Sequence, residues 1–305
     1  MSGTPNAQAV RKPNLSIPLN DVIISQQNDP IGQHPECLLP ENRSLWEIDK
    51  KAVFLFIPLL GRFRILAGKR IDYMPNPDVD PRLIQSLIAS MGYSLLICQR
   101  GELPIHGSGA IAPNETRATI ICASSGIGKS TTTAALSLMG WAVIADDICR
   151  MSLESDIDGE PEMIVHRGYT DLRLTPSACD LLDINTTPLS WENQRCEKFF
   201  FRPDIIAPKM SYPVERIIIL HRPAHTLAME WGKCSGDVAI EALARNIYYT
   251  EIGTQILDRE RVSLYMKHLA TNIPVYVLFV PEGIQPGNVA LELQRLANNI
   301  CSDIA

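Results

Sequence analysis

From Trp46 onward, short apolar runs alternate with polar turns. Ala52 to Ile57 and Arg62 to Leu66 are followed, after the turn at Ala67-Gly68, by Lys69 to Tyr73. In the second run Phe63 and Ile65 alternate with Arg62 and Arg64, the period of a half-buried strand. The three runs predict a small antiparallel sheet. The period then lengthens: Leu83, Ile84, Leu87, Ile88, Met91, Leu95 and Leu96 recur at helical spacing between Asp78 and Gln99, with Asp80-Pro81 as a start signal. Residues 1 to about 40 are rich in Pro, Asn, Gln and Ser and show little periodicity, so residues 1–44 are expected to be a flexible leader.

The stretch Arg117 to Asp147 organises the rest. A β-branched apolar run, Ala118 to Cys122, enters a small-residue loop, Ala123 to Gly128, and continues as Lys129-Ser130 and a helix-forming stretch to Leu138. Strand, glycine loop and helix in that order are the arrangement that cradles a polyphosphate on backbone N–H groups. Ser124, Ser125, Gly126, Ile127, Gly128, Lys129, Ser130 and Thr131 are the candidate nucleotide-binding residues. Lys129 supplies a cation for the outer phosphates, and Ser130 a hydroxyl for Mg²⁺. The pattern G-x-x-x-x-G-K-[ST] has Ala123 in place of its first glycine; a small-residue turn capping an ordinary helix is the plainer alternative.

Gly140 ends the helix, and Trp141 to Ala145 predicts a strand finishing at Asp146-Asp147, beside the loop. Upstream, Leu103 to Ala112 and a turn at Pro113-Asn114-Glu115 bring His106 near the same loop. Downstream, Met163 to Leu174 reads as a strand pair or as strand and turn, Ser177 to Leu182 as a short helix, and Asn185 to Met210 as a loop able to cover the site. Val214 to Leu220, Thr226 to Trp231 and Pro274 to Val280 are strand-like. Ala239 to Tyr249, Leu257 to Ala270 and Val289 to Ile300 read as helices. One α/β domain spanning 45–305 is expected, with 45–100 as a β-rich and helical lead-in and 101–305 as the nucleotide-binding core and C-terminal elements.

Composition narrows the partners. Across 305 residues, 46% are hydrophobic and 20% charged, ordinary for a globular protein; a net charge of -6 gives no global field for nucleic acid or an anionic membrane. The strongest apolar run, Ala52 to Leu60, is too short to span a bilayer, and the first residues lack the apolar segment of a signal peptide. Eight scattered cysteines without a C-x-x-C pair point to reduced thiols, and the expected location is the cytoplasm.

The short distance from Lys129 to the acids carries a resemblance. Gly140 and Ala145-Asp146-Asp147 follow the loop at the spacing seen in the catalytic domain of bacterial HPr kinase/phosphorylase. Pro104-Ile105-His106-Gly107 and His166-Arg167-Gly168 resemble that family's histidine-glycine and Arg-Gly segments. The layout is more similar still to stand-alone HPr-kinase-like serine kinases, some of which modify ribosomally made precursor peptides, lasso-peptide precursors among them. The resemblance implies an α/β P-loop kinase core of the HPr kinase/carboxykinase type with a small β-rich N-terminal appendage. It implies ATP and Mg²⁺ as cofactors and transfer of the γ-phosphate to a Ser or similar hydroxyl of a protein or peptide, and it is compatible with a homo-oligomer.

Roles follow by the same resemblance: Asp147 accepts the hydroxyl proton, Asp146 and Ser130 hold the metal, and His106, Lys129 and Arg167 complete the catalytic set. Adjacent acids on a persisting strand would face opposite ways and divide these tasks. One departure stands out: Val165 occupies the position of the family's metal-site Glu, leaving the metal to Ser130, Asp146 and the phosphates, or to another acid such as Asp171. Arg195, Lys198 and Arg202 fall in the region of the family's substrate loop, with a solvated charged face as the plainer account. His221 and His225 have metal-like spacing, but Pro223 lies between them and they are read as loop residues. The alternatives are a nucleotide-binding regulatory protein with reduced catalysis, and a small-molecule kinase or carboxykinase relative.

Overall fold

The computed structural model describes residues 18–28, 31, 45–184, 198–223, 225, 227–248 and 250–298. The first part of this chain is a five-stranded sheet made of Ile23–Gln26 (β1), Leu45–Ile48 (β2), Ala52–Ile57 (β3), Gly61–Leu66 (β4) and Arg70–Pro75 (β5), in the order β1-β5-β4-β3-β2. β2 to β5 are antiparallel, as the alternation predicts. β1 adds in parallel to β5, so a segment expected in the flexible leader is a strand; residues 1–17, 29–30 and 32–44 of that leader lie outside the described residues. Gly61, at φ 135°, makes the β3–β4 turn, where a Cβ would come within 2.2 Å of the Met74 carbonyl oxygen.

The helix expected over Asp78–Gln99 is interrupted. Pro81–Leu87 (α1) passes through a π turn at Ile88–Gly92, where the Tyr93 N–H reaches back to the Ile88 carbonyl, into Tyr93–Gln99 (α2). α2 is buried from Tyr93 through Cys98, because it lies between the small sheet and the rest of the chain rather than on the surface. Its apolar residues therefore run all round the helix, and the amphipathic reading holds only for its first half.

The main sheet has nine strands. In chain order its elements are Leu103–Ile105 (β6), Gly107–Ile111 (β7), Ala118–Ala123 (β8), Lys129–Leu138 (α3), Ala142–Ala145 (β9), Cys149–Ser155 (β10) and Pro161–His166 (β11). Then come Leu172–Leu174 (β12), Pro176–Leu181 (α4), Phe199–Phe201 (β13), Ser211–His221 (β14), Glu230–Cys234 (β15), Gly236–Ala244 (α5), Thr250–Leu257 (α6), Arg259–Asn272 (α7), Val275–Phe279 (β16) and Pro286–Ala297 (α8). Most predicted elements are present with shifted ends. β10 is an addition: it pairs with β11 across a turn in which Asp156 accepts the N–H groups of Asp158 and Glu160. The expected helix from Ala239 to Tyr249 ends at Ala244, and α6 intervenes before α7, whose start is capped by Asp258 accepting from the Arg261 N–H.

The path β6-β10-β11-β14-β8-β7-β9 turns on β14. Its start pairs with β11, and after a bulge between Val214 and Arg216 it runs parallel to both β8 and β16. β12 and β13 form a separate two-stranded ribbon. β9 is not beside β8, because β7 lies between and is antiparallel to both. This order has a functional consequence. β8, β9, β14 and β16 all finish at the edge where β7 begins, so the loop after β8, the acids after β9, His106 before β7 and Arg222 after β14 meet at one rim.

Three apolar clusters hold this rim. The largest joins α2, the underside of the main sheet and α5 to α7. A second lies between the sheet and the α3–α8 pair, where the fully buried Trp141 donates Nε1–H to Gln294 at 2.5 Å. The third packs α3 and β9 on the β12–β13 ribbon and α4. The five described cysteines are free, and four are buried. Among the described residues no helix is long and apolar enough to cross a membrane.

Candidate active site

The loop after β8 takes its shape from two glycines. Gly126 and Gly128 have φ of 85° and 108°, a region closed to most side chains, and no heavy atom lies within 4 Å of the Cβ position at either. Backbone conformation, not crowding, therefore requires glycine here, and the space before the loop is open. Ala123 is the last residue of β8, buried and paired with Leu220, so its Cβ is accommodated as an ordinary strand side chain. Ser124 and Ser125 are exposed, Ile127 donates its N–H to Ser124, and Thr132 donates to the Gly128 carbonyl, opening α3 with Lys129, Ser130 and Thr131 in its first turn.

Lys129 is unusual. Its side chain is 8% exposed, its Nζ has no hydrogen-bond partner, and the nearest carboxylate, Asp147 Oδ1, is 3.8 Å away. A buried ammonium with unused donors is costly to maintain and belongs where a ligand accepts its hydrogen bonds.

The two acids take separate surroundings, though not by strand alternation. β9 ends at Ala145, and Asp147 sits in the left-handed region at φ 69°, which Asp tolerates better than most residues. Asp146 is buried and accepts hydrogen bonds from Ser108 Oγ at 2.5 Å and from Ser130 Oγ at 3.0 and 3.2 Å. Its backbone N–H donates to the Tyr169 carbonyl at 2.6 Å. A hydroxyl and a carboxylate at that separation are a hard-oxygen pair suited to Mg²⁺. Among the described residues, no group of three or more His, Cys, Asp or Glu side chains could hold a metal.

Asp147 faces cations. His106 Nε2 is 3.4 Å from Oδ1, and Arg173 bonds Oδ2 through Nη2. Burial works to raise its pKa, but the His106 hydrogen bond and the charges of Arg173 and Lys129 outweigh it and hold the carboxyl well below its usual range. His106 is fixed by its backbone N–H, which donates to Asn246 at 2.7 Å, and by edge-on contact with Tyr248, ring centroids 5.5 Å apart. Beneath the site, burial pushes the Cys122 thiol up to about 12 against the pull of Lys129, which leaves it inert as a nucleophile.

Of the residues singled out from the sequence, Lys129, Ser130, Asp146, Asp147 and His106 are brought together. Arg167 follows β11, its backbone N–H donates to the Met210 carbonyl, and its half-buried side chain makes no ion pair among the described residues. Arg173, not singled out from the sequence, is the arginine bonded to Asp147. Val165 is fully buried in the core, and Asp171 is engaged by Arg202 through two bonds of 2.9 Å, so neither joins Asp146. Arg202 is accordingly taken, Lys198 is exposed, and Arg195 lies outside the described residues. His221 stacks edge-on against Phe279 at 5.8 Å and forms no metal cluster with His225.

No protein-family model matches the chain, and no curated protein matches it. Among solved structures it is similar to the HPr(Ser) kinase/phosphatase from Coxiella burnetii, at 14% identity over 65% of this chain and 89% of that one, with a TM-score of 0.35. So distant a likeness leaves the functional reading to the chemistry of the rim.

Proposed function

We propose that this protein transfers the terminal phosphoryl group of a nucleoside triphosphate, ATP with Mg²⁺, to a serine or similar hydroxyl on a protein or peptide. The observation that carries the reading is the buried Lys129 ammonium at the end of an open glycine loop, without a hydrogen-bond partner and 3.8 Å from Asp147. The loop amides and Lys129 would hold the phosphates, and Ser130 with Asp146 would hold the metal, which supplies charge neutralisation on the transferring group. Asp147 would accept the proton as the hydroxyl oxygen bonds to phosphorus and the bridging P–O bond to the diphosphate breaks. Arg173 and His106 both contact Asp147 and would hold and orient its carboxylate toward the hydroxyl. The acceptor class, a peptide with a ribosomally made precursor included, comes from the sequence resemblance.

The test is labelled ATP with Mg²⁺ and candidate hydroxyl peptides: Asp147→Asn should bind ATP but transfer nothing, whereas normal turnover by that variant would refute the assignment. A second reading, a nucleotide-binding regulator without transfer, draws on Val165 and on the absence of a third acid beside Asp146 among the described residues. Tight ATP binding with neither transfer nor hydrolysis by the wild-type protein would favour it.

A further inference from the structure

The run Phe199-Phe200-Phe201 forms β13, and strand alternation divides it. Phe199 and Phe201 pack with Leu172 and Leu174 of β12 in the cluster that joins the ribbon to α3, β9 and α4. Phe200 belongs to none of the three apolar clusters and is 37% exposed. One exposed aromatic is ordinary on a protein surface; its position singles this one out. Phe200 pairs directly with Arg173 across the ribbon, so the two side chains stand on one face with Cβ atoms about 5 Å apart. From that face Arg173 reaches Asp147, the proposed proton acceptor. Just past the paired residues, Asp171 and Arg202 hold each other through two bonds of 2.9 Å.

From this pairing we infer that Phe200 selects the acceptor: it receives an apolar side chain of the substrate peptide close to the hydroxyl that takes the phosphoryl group. This rests on the proposed transfer to a peptide hydroxyl and adds what must flank that hydroxyl. Reach sets the spacing. A peptide with its hydroxyl at Asp147 that lies over the ribbon face passes the length of one arginine side chain before it meets Phe200. An extended chain advances about 3.3 Å per residue, so the contact falls about two or three positions from the hydroxyl. Chemistry sets the preference. A Leu, Ile, Met or Phe of the peptide leaves water together with the exposed ring, and both gain. An amide or charged side chain there gives up water without a partner in return, because Arg173 is engaged by Asp147 and Arg202 by Asp171.

A positional peptide library on the full chain, with labelled ATP and Mg²⁺, tests this. Each peptide carries one Ser in a Gly/Ala background, with Leu, Phe, Asn, Lys or Glu placed in turn at the three positions on either side. Wild-type protein should use peptides with Leu or Phe at one of these positions roughly tenfold better than those with Asn there, through a lower KM. Phe200→Ala should erase that difference by raising the KM of the favoured peptide, with the KM for ATP unmoved. Phe200→Leu should restore most of it. Phe200→Glu should turn the preference at the same position toward Lys, a switch that a ring serving only to fold the ribbon would not give. Transfer without any flanking preference overturns the inference and leaves the kinase reading intact. So does a preference that Phe200→Ala and Phe200→Glu leave in place, or an equal loss on every peptide. ATP binding with transfer to no peptide removes the kinase reading and the inference with it.

Discussion

Arg173 is bonded to Asp147, although 26 positions separate them in the chain; the pairing of β12 with β13 and the packing of Leu172 and Leu174 against α3 and β9 set the arginine there. Burial lowers its hold on the proton, but the charges of Asp147 and Asp146 more than offset this, so it stays a fixed cation. Replacing it with Ala should lower the phosphoryl-transfer rate about 10²-fold, the usual effect of letting a reacting group shift by about an ångström. Arg173→Lys should recover little, since an ammonium lacks the planar fork. Melting of Arg173→Ala with unchanged kcat/KM would reduce the pair to a structural ion pair.

Lys129→Met separates stability from function. The lysine is buried without a hydrogen-bond partner, and its removal leaves Asp147 still bonded to Arg173 and near His106. An unsatisfied buried donor costs about 1–3 kcal/mol, so this variant should melt at or above the wild-type temperature. ATP binding should nonetheless be lost. A destabilised variant that still binds ATP contradicts both parts.

These two residues also show what was legible in the chain. Lys129 could be placed because strand, glycine loop and helix are contiguous and local spacing fixes them. Arg173 lies on a three-residue strand whose buried Leu172 and Leu174 send it to the opposite face. That alternation was readable, but the partner it meets depends on a ribbon pairing with Phe199–Phe201 that no local pattern reveals. The same holds for β9: its sequence marked a strand ending in acids, while its separation from β8 by β7 is a matter of sheet order. His166-Arg167-Gly168 marks a segment that runs beside β9. Arg167 makes no ion pair among the described residues, whereas Gly168 packs against the strand that ends in the acids.

Metal should act through Asp146. With Mg²⁺ and ATP at about a hundred times the dissociation constant, the protein should gain about 2.7 kcal/mol of stability, read as a higher melting temperature. Chelation should remove most of that gain. Asp146→Asn keeps an acceptor for Ser108 and Ser130 but loses the charge, and should bind ATP with little dependence on Mg²⁺. An undiminished Mg²⁺ response in that variant would place the metal elsewhere.

Part of the acid sensitivity, besides that of Asp147, should be traceable to Asp72 in the five-stranded sheet. Its burial acts to raise the pKa, but hydrogen bonds from Arg64 at 2.7 Å and Arg70 at 2.6 Å dominate and hold it below 3.8. The folded state therefore binds this proton less readily than the unfolded chain, so the contribution is complete above about pH 3.8 and is lost as pH falls through the lower folded value. Asp72→Asn should flatten the stability profile below that pH. At pH 7 it should cost roughly 2 kcal/mol, less than the 3–5 kcal/mol of an enclosed pair, because both arginines can turn to water. Urea titrations at stepped pH measure both.

Gly168 is held against β9 by its own N–H, which donates to the Ile144 carbonyl at 3.0 Å, while the next residue's carbonyl receives the Asp146 N–H. A Cβ at this position would stand 2.9 Å from the Ala145 Cβ and 3.4 Å from the Ile148 carbonyl oxygen. Neither neighbour is the end of a flexible chain, so Gly168→Ala must push β9 away just before the two acids. Overpacking of this kind costs about 1–3 kcal/mol, a loss the protein can survive. Geometry at the acids is less forgiving, because displacement by about an ångström can lower a rate 10²-fold. The expected result is a folded variant with a modestly reduced melting temperature, nearly normal ATP affinity and a strongly reduced transfer rate. If transfer falls only in proportion to the folded fraction, the contact serves the sheet alone and the acids do not depend on it.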